Sequence, residues 1–207
     1  MIFGLFKDNN KKVAEAVYGN FRAPINVAKK LGKWDKHSTF GETFVYDDYL
    51  LGFFNLYIQD FAKIAGLKTT QDRGRMMHFC FKLLDERYSK LDELNGMINR
   101  YTMKCENPTK DFKLATNHAA MVISILMDDQ VQRSFSKDPI FKEATKYFSS
   151  GKFNKDIEFA RELMPKEDNP AASMSSAPTK VIIANRVFTK TFTIRLNKTF
   201  KVKGMKY

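Results

Sequence analysis

Between Asp47 and Gly66 the chain carries a segment that is apolar around most of a helix's circumference. Asp48, Gly52, Asn55, Gln59 and Lys63 recur at helical spacings as a narrow polar stripe, while Leu50, Phe53, Phe54, Tyr57, Phe61 and Ile64 fill the rest. A helix with so little polar surface has to be enclosed by other elements, so the segment asks for a bundle built around it. Its longest apolar run, Tyr49 to Ile58, is far shorter than the ~20 residues that span a bilayer, and aspartates flank it. The same holds for Ala119 to Met127, and both are expected as core helices.

The surrounding sequence supplies the partners. Asn9 and Asn10 are placed to cap a short helix through Phe21, and Pro24 suits the first position of another that stops near Gly32. Met77, Phe81, Leu84, Tyr88, Leu91 and Ile98 form a stripe that predicts one long helix over about 70–101, bent near Gly96. Phe112, Leu114, His118, Met121, Val122, Ile125 and Leu126 predict a third long helix over about 110–133. Asp138-Pro139 opens a short helix closed by Gly151, and Asn154 opens another that stops before Pro165. The fold class is therefore all-α over residues 1–165, a helical bundle of three long and several short helices.

Residues 166–179 have the Pro, Ala and Ser composition of a linker. Beyond them, over 180–207, the pattern changes. Phe188, Phe192, Ile194, Leu196, Phe200 and Val202 stand at even positions, and Thr189, Thr191, Thr193, Arg195, Asn197, Thr199, Lys201 and Lys203 at odd ones. That alternation, rich in Thr and Phe, favours a β-strand. Phe188, Phe192, Leu196 and Phe200 also recur every fourth residue, which keeps an amphipathic helix as the alternative.

Charge is concentrated at the two ends. The formal net charge is +12. Residues 1–36 hold eight basic groups against three acidic ones, 37–165 balance, and 180–207 hold Lys180, Arg186, Lys190, Arg195, Lys198, Lys201, Lys203 and Lys206 with no acid. A basic strand with no partner of its own reads as a docking element, so Arg186, Phe188, Lys190, Phe192, Ile194, Arg195, Leu196, Lys198, Phe200, Lys201 and Lys203 are the candidate partner-binding residues. The partner expected is a protein or neighbouring subunit in a larger assembly, with nucleic acid as the alternative ligand of basic termini. No motif for specific base readout is present.

Signals for chemistry are sparse. Two cysteines, Cys80 and Cys105, have no disulfide or zinc spacing and point to a reducing, cytoplasmic setting. His37 falls in a loop without a nearby nucleophile, His78 reads as a solvated side chain, and His118 lies on an apolar stripe as a core histidine. The pairs Asp47-Asp48, Asp85-Glu86 and Asp128-Asp129 point about 100° apart on a helix and make no paired-carboxylate site. Phosphate-loop, dinucleotide, nucleophile-elbow and zinc-helix motifs are missing, so no catalytic residue, cofactor or metal ligand is assigned. Lys68, Arg73 and Arg75 at a helix start are the candidate anion site. An enzyme would need Asn55, Gln59 and His118 to converge on one pocket. The apolar leader Ile2, Phe3, Leu5 and Phe6 is too short for an export signal and is expected to pack on protein rather than insert in a membrane.

Overall fold

A computed structural model describes residues 3–127, 135–163 and 178–203. Among the described residues all regular structure is helical. In chain order the helices are α1 (Phe3–Leu31), α2 (Phe40–Tyr46), α3 (Asp48–Ile64), α4 (Thr70–Leu84), α5 (Leu91–Glu106), α6 (Lys110–Met127), α7 (Pro139–Ser149), α8 (Lys152–Leu163), α9 (Thr179–Phe188) and α10 (Ile194–Thr199), with a 3₁₀ turn at Glu86–Ser89 and a π turn at Thr189–Thr193. No helix among the described residues is long and apolar enough to cross a membrane. The chain forms two compact units, one of residues 1–120 with 191–207 and one of residues 121–190.

In the first unit α3 is enclosed over most of its length, with Lys63 and Ile64 exposed at its end. Leu50, Phe53, Phe54, Tyr57 and Ile58 are buried, and so is Asn55 on the polar stripe. Gly52 of that stripe packs on Phe112 and Ala115 of α6. Gln59 bonds Tyr101 of α5, and Asp48 receives Arg100 and Lys104. The polar stripe thus faces neighbouring helices from Asp48 to Gln59, while Lys63 at its end is exposed and pairs with Asp60 of the same helix. The core around α3 is aromatic: Phe21 of α1 meets Phe53, Phe54 and Tyr57 at 4.8–6.4 Å, mostly edge to face, a geometry that adds about 0.5–1.5 kcal/mol per pair beyond area burial.

Three element boundaries differ from expectation. Residues 3–31 form one helix with Pro24 inside it, not two. The buried stripe Ala14, Val17, Tyr18, Phe21, Ile25 and Ala28 continues past the proline, and its packing offsets the lost backbone bond. The helix expected over 70–101 instead breaks at Asp85, between α4 and α5, and runs through Gly96 without a break. Asp85 caps the 3₁₀ turn by accepting from Arg87 N–H, and its carboxylate also accepts from Gly41 N–H at 3.0 Å. Gly41 is required there, since a Cβ would lie 2.4 Å from the Asp85 oxygen.

The expected strand over 188–202 is the third. These residues are helical through Thr199, and the four-residue recurrence of Phe188, Phe192, Leu196 and Phe200, all buried, is what their backbone follows. Twelve residues at about 100° each overshoot three α-helical turns by about 120°. The wider π turn absorbs most of that drift and keeps the apolar positions in phase. α10 then packs on α1 and α3.

In the second unit α9 packs on α7, and α7 on α8. Phe141, Ala144, Phe153, Ile182, Ile183 and Val187 are buried. Asp138 caps α7 with Pro139 at its first turn, as expected, and α8 begins two residues ahead of Asn154. The expected linker lies outside the described residues apart from Pro178 and Thr179, and so does the packing of the leader side chains Ile2, Phe3, Leu5 and Phe6.

Candidate functional site

The C-terminal helix is seated by one carboxylate. Asp47 ends α2 and caps α3: its Oδ1 accepts from the N–H groups of Tyr49 (2.9 Å) and Leu50 (3.1 Å). Its Oδ2 accepts from Arg195 Nε (2.9 Å) and from the Thr199 hydroxyl (2.6 Å). Arg195 also pairs with Asp111 at 2.9 Å and lies over the Tyr49 ring. Burial alone lowers the Arg195 pKa, but Asp47 and Asp111 more than offset this and raise it. Tyr49, whose phenol burial pushes up, shares a hydrogen bond of 2.6 Å with His118 Nδ1.

One turn further along, the two basic ends of the sequence meet. Lys33 N–H donates to Phe200 C=O at 2.6 Å. Gly32 permits this approach, because a Cβ there would stand 2.9 Å from Phe200 Cβ and 2.3 Å from Ala28 C=O. Phe200 stacks on Phe40 at 4.3 Å and meets the edge of Trp34 at 5.9 Å. Around this junction Lys30, Lys33, Lys36, Lys198, Lys201 and Lys203 are all exposed and make no ion pair with any described residue. Asp35, the acid within the same stretch, accepts from His37 N–H. Lys201 has φ +51°, a left-handed turn that ends α10 and sets the last described residues past the junction.

The candidate residues therefore divide. Phe188, Phe192, Leu196 and Phe200 are buried within the chain's own structure and offer no free apolar face; Ile194 stays partly exposed. Arg186 pairs with Glu143 at 3.0 Å and lies over Tyr147, and Lys190 reaches the same Glu143 at 3.4 Å. Arg195 is engaged as described. Lys198, Lys201 and Lys203 are those of the basic set that pair with no acid among the described residues, and the sequence pattern of 180–207 did not point to their neighbours Lys30, Lys33 and Lys36. The one signal for those was the positive balance of the first 36 residues.

Comparison with protein families, curated proteins and solved structures finds no match for this chain. Its site has to be read from its own geometry.

The anion site expected at Lys68, Arg73 and Arg75 already contains an acid. Thr69 caps α4, and Asp72 in the first turn accepts from the Thr69 hydroxyl at 2.6 Å and from Asn10. A carboxylate thus stands where an incoming phosphate would be favoured. Asn55, Gln59 and His118 do not converge: Asn55 donates to Leu51 C=O, Gln59 to Tyr101 and His118 pairs with Tyr49. An open groove of about 440 Å³ between α2 and α5, lined by Val45, Tyr46, Tyr88, Met97, Arg100 and Met103, includes none of the three. Among the described residues no group of three or more His, Cys, Asp or Glu side chains is placed to hold a metal ion.

Two carboxylates, Asp85 and Asp48, should make folding acid-sensitive. Burial raises the pKa of Asp85, but bonds from Arg87 and Gly41 outweigh it and hold the group below its ordinary value. Asp48 behaves alike through Lys104, Thr109 and Arg100. Each binds fewer protons folded than unfolded near its titration, so stability rises with pH there. The contribution is complete above the ordinary Asp value of about 3.9 and is lost as pH falls through the lower native value. Thermal midpoints measured across this range should fall steeply for the native protein and less for Asp85→Asn or Asp48→Asn. Parallel curves for all three would show that neither carboxylate drives the acid response.

Proposed function

We propose that this protein is a non-enzymatic component of a larger assembly and docks an anionic partner through the composite lysine face around the Lys33–Phe200 junction. The observation that supports this reading is the meeting of the two basic stretches: six exposed, unpaired lysines from chain segments more than 160 residues apart lie around a single backbone hydrogen bond. Clustered cations repel one another, and among the described residues no carboxylate forms an ion pair with any of the six; Asp35 is the one acid within the two lysine stretches. Bringing an anion to such a face relieves that repulsion and concentrates the field where a partner of opposite sign is steered.

The test compares two full-length variants of equal charge change on an immobilised sulfated polysaccharide. Lys33→Glu/Lys201→Glu should elute at clearly lower salt than the native protein. Lys68→Glu/Arg75→Glu, at the start of α4, should elute close to it. Equal loss in both variants would mean that net charge alone causes retention, and the reading would fall.

A further inference from the structure

Resting on that docking reading, we propose that the anionic partner is nucleic acid, held through its phosphates without preference for base sequence. Three features of the face carry this. Its cations are all lysines, whereas the guanidinium groups of the C-terminal segment are engaged elsewhere, Arg186 with Glu143 and Arg195 with Asp47 and Asp111. Lysine meets phosphate as a point charge, while bidentate reading of guanine needs the arginine fork. A stable protein interface has a centre depleted of lysine and enriched in Tyr, Met and Arg; here Leu31, 53% exposed, is the large exposed apolar side chain within residues 30–36 and 198–203. The same shortage of apolar surface leaves little to insert into a lipid bilayer.

The third feature is aromatic. Trp34 is partly exposed between Lys33 and the Lys36–His37 pair, its ring fixed edge-on by Phe40 and Phe200. A held aromatic ring among cations is the arrangement on which bases stack irrespective of sequence. Exposed His37 adds a further ring beside it.

Trp34 is also the chain's single tryptophan, so its fluorescence reports occupancy of the face directly. Full-length protein is titrated with single-stranded oligothymidylate and oligoadenylate of equal length, with polyglutamate, and with phosphatidylserine vesicles, each over a range of salt. Both oligonucleotides should quench Trp34 with similar affinity, and log K should fall against log salt with a slope of about −4 if all six lysines meet phosphates at about 0.7 each. Lys33→Ala/Lys201→Ala should reduce that slope by about 1.4. An unchanged slope in the variant places binding elsewhere and overturns the proposal. Tighter binding of polyglutamate or of vesicles than of oligonucleotides overturns the nucleic-acid assignment and leaves anion docking standing. Absence of binding by every probe overturns both.

Discussion

Removing residues 191–207 is expected to abolish cooperative folding of the first unit rather than to release a tail. Phe192 is fully buried against Phe21, Phe44 and Phe53, at ring separations of 4.9, 6.2 and 5.2 Å. Leu196 and Phe200 are fully buried as well. Burying each such side chain contributes about 1.5–3 kcal/mol, and the cavity left by removing one adds to the loss. Three of them approach the whole stability of a typical domain, about 5–15 kcal/mol. The deletion also strips Asp47 of Arg195 and Thr199. Circular-dichroism melting of the full chain and of residues 1–190 measures the effect. A truncated chain that still melts cooperatively within a few degrees of the full chain would show that this segment is peripheral. The milder change Phe192→Ala should cost about 3–5 kcal/mol in denaturant unfolding.

The same segment shows where local pattern is ambiguous. Alternation and four-residue recurrence are both present between Phe188 and Phe200, and β-branched Thr189, Thr191 and Thr193 lean toward strand. A lone strand has no ladder to complete its backbone bonds, whereas a helix satisfies them internally. Either form would put Phe192, Leu196 and Phe200 on one face, so the backbone bonds rather than the apolar positions decide. The π turn that reconciles a period of four with a helix has no marker in the residues themselves. By contrast α3 was legible because its composition leaves no surface to expose, and α7 because Asp138-Pro139 is a start signal with a local mechanism.

The lysine face was half legible. Charge counting finds both basic ends, since charge is a property of composition, but their juxtaposition depends on Gly32 and on a single long-range backbone bond. Nothing near Lys33 signals Phe200. The break at Asp85 was hidden for a similar reason: the apolar stripe runs on through Tyr88 and Leu91, while the residues that draw Asp85 out of the helix, Gly41 and Thr39, come from more than 40 positions earlier.

Asp47→Ala should be among the most costly polar substitutions, and its cost can be resolved into parts. The change removes the cap of α3, worth about 1 kcal/mol, and leaves Arg195 with Asp111 as its remaining carboxylate and the Thr199 hydroxyl without this acceptor. Breaking a buried pair costs about 3–5 kcal/mol; Arg195 retains 29% side-chain exposure, so the total should be nearer 2–4 kcal/mol. Asp47→Asn keeps a capping oxygen for Tyr49 and Leu50 but loses the charge and puts an amide donor where Oδ2 accepted from Arg195 and Thr199, and a cycle with Arg195→Met should give a coupling of about 1–2 kcal/mol. Because this carboxylate fixes α10 on α3, it also fixes Lys198 and Lys201 beside Lys33. Asp47→Asn should therefore weaken anion retention as well as stability, whereas Lys33→Glu/Lys201→Glu should weaken retention with the melting midpoint almost unchanged. Full retention in a destabilised Asp47→Asn protein would show that the lysines act independently of how α10 is seated.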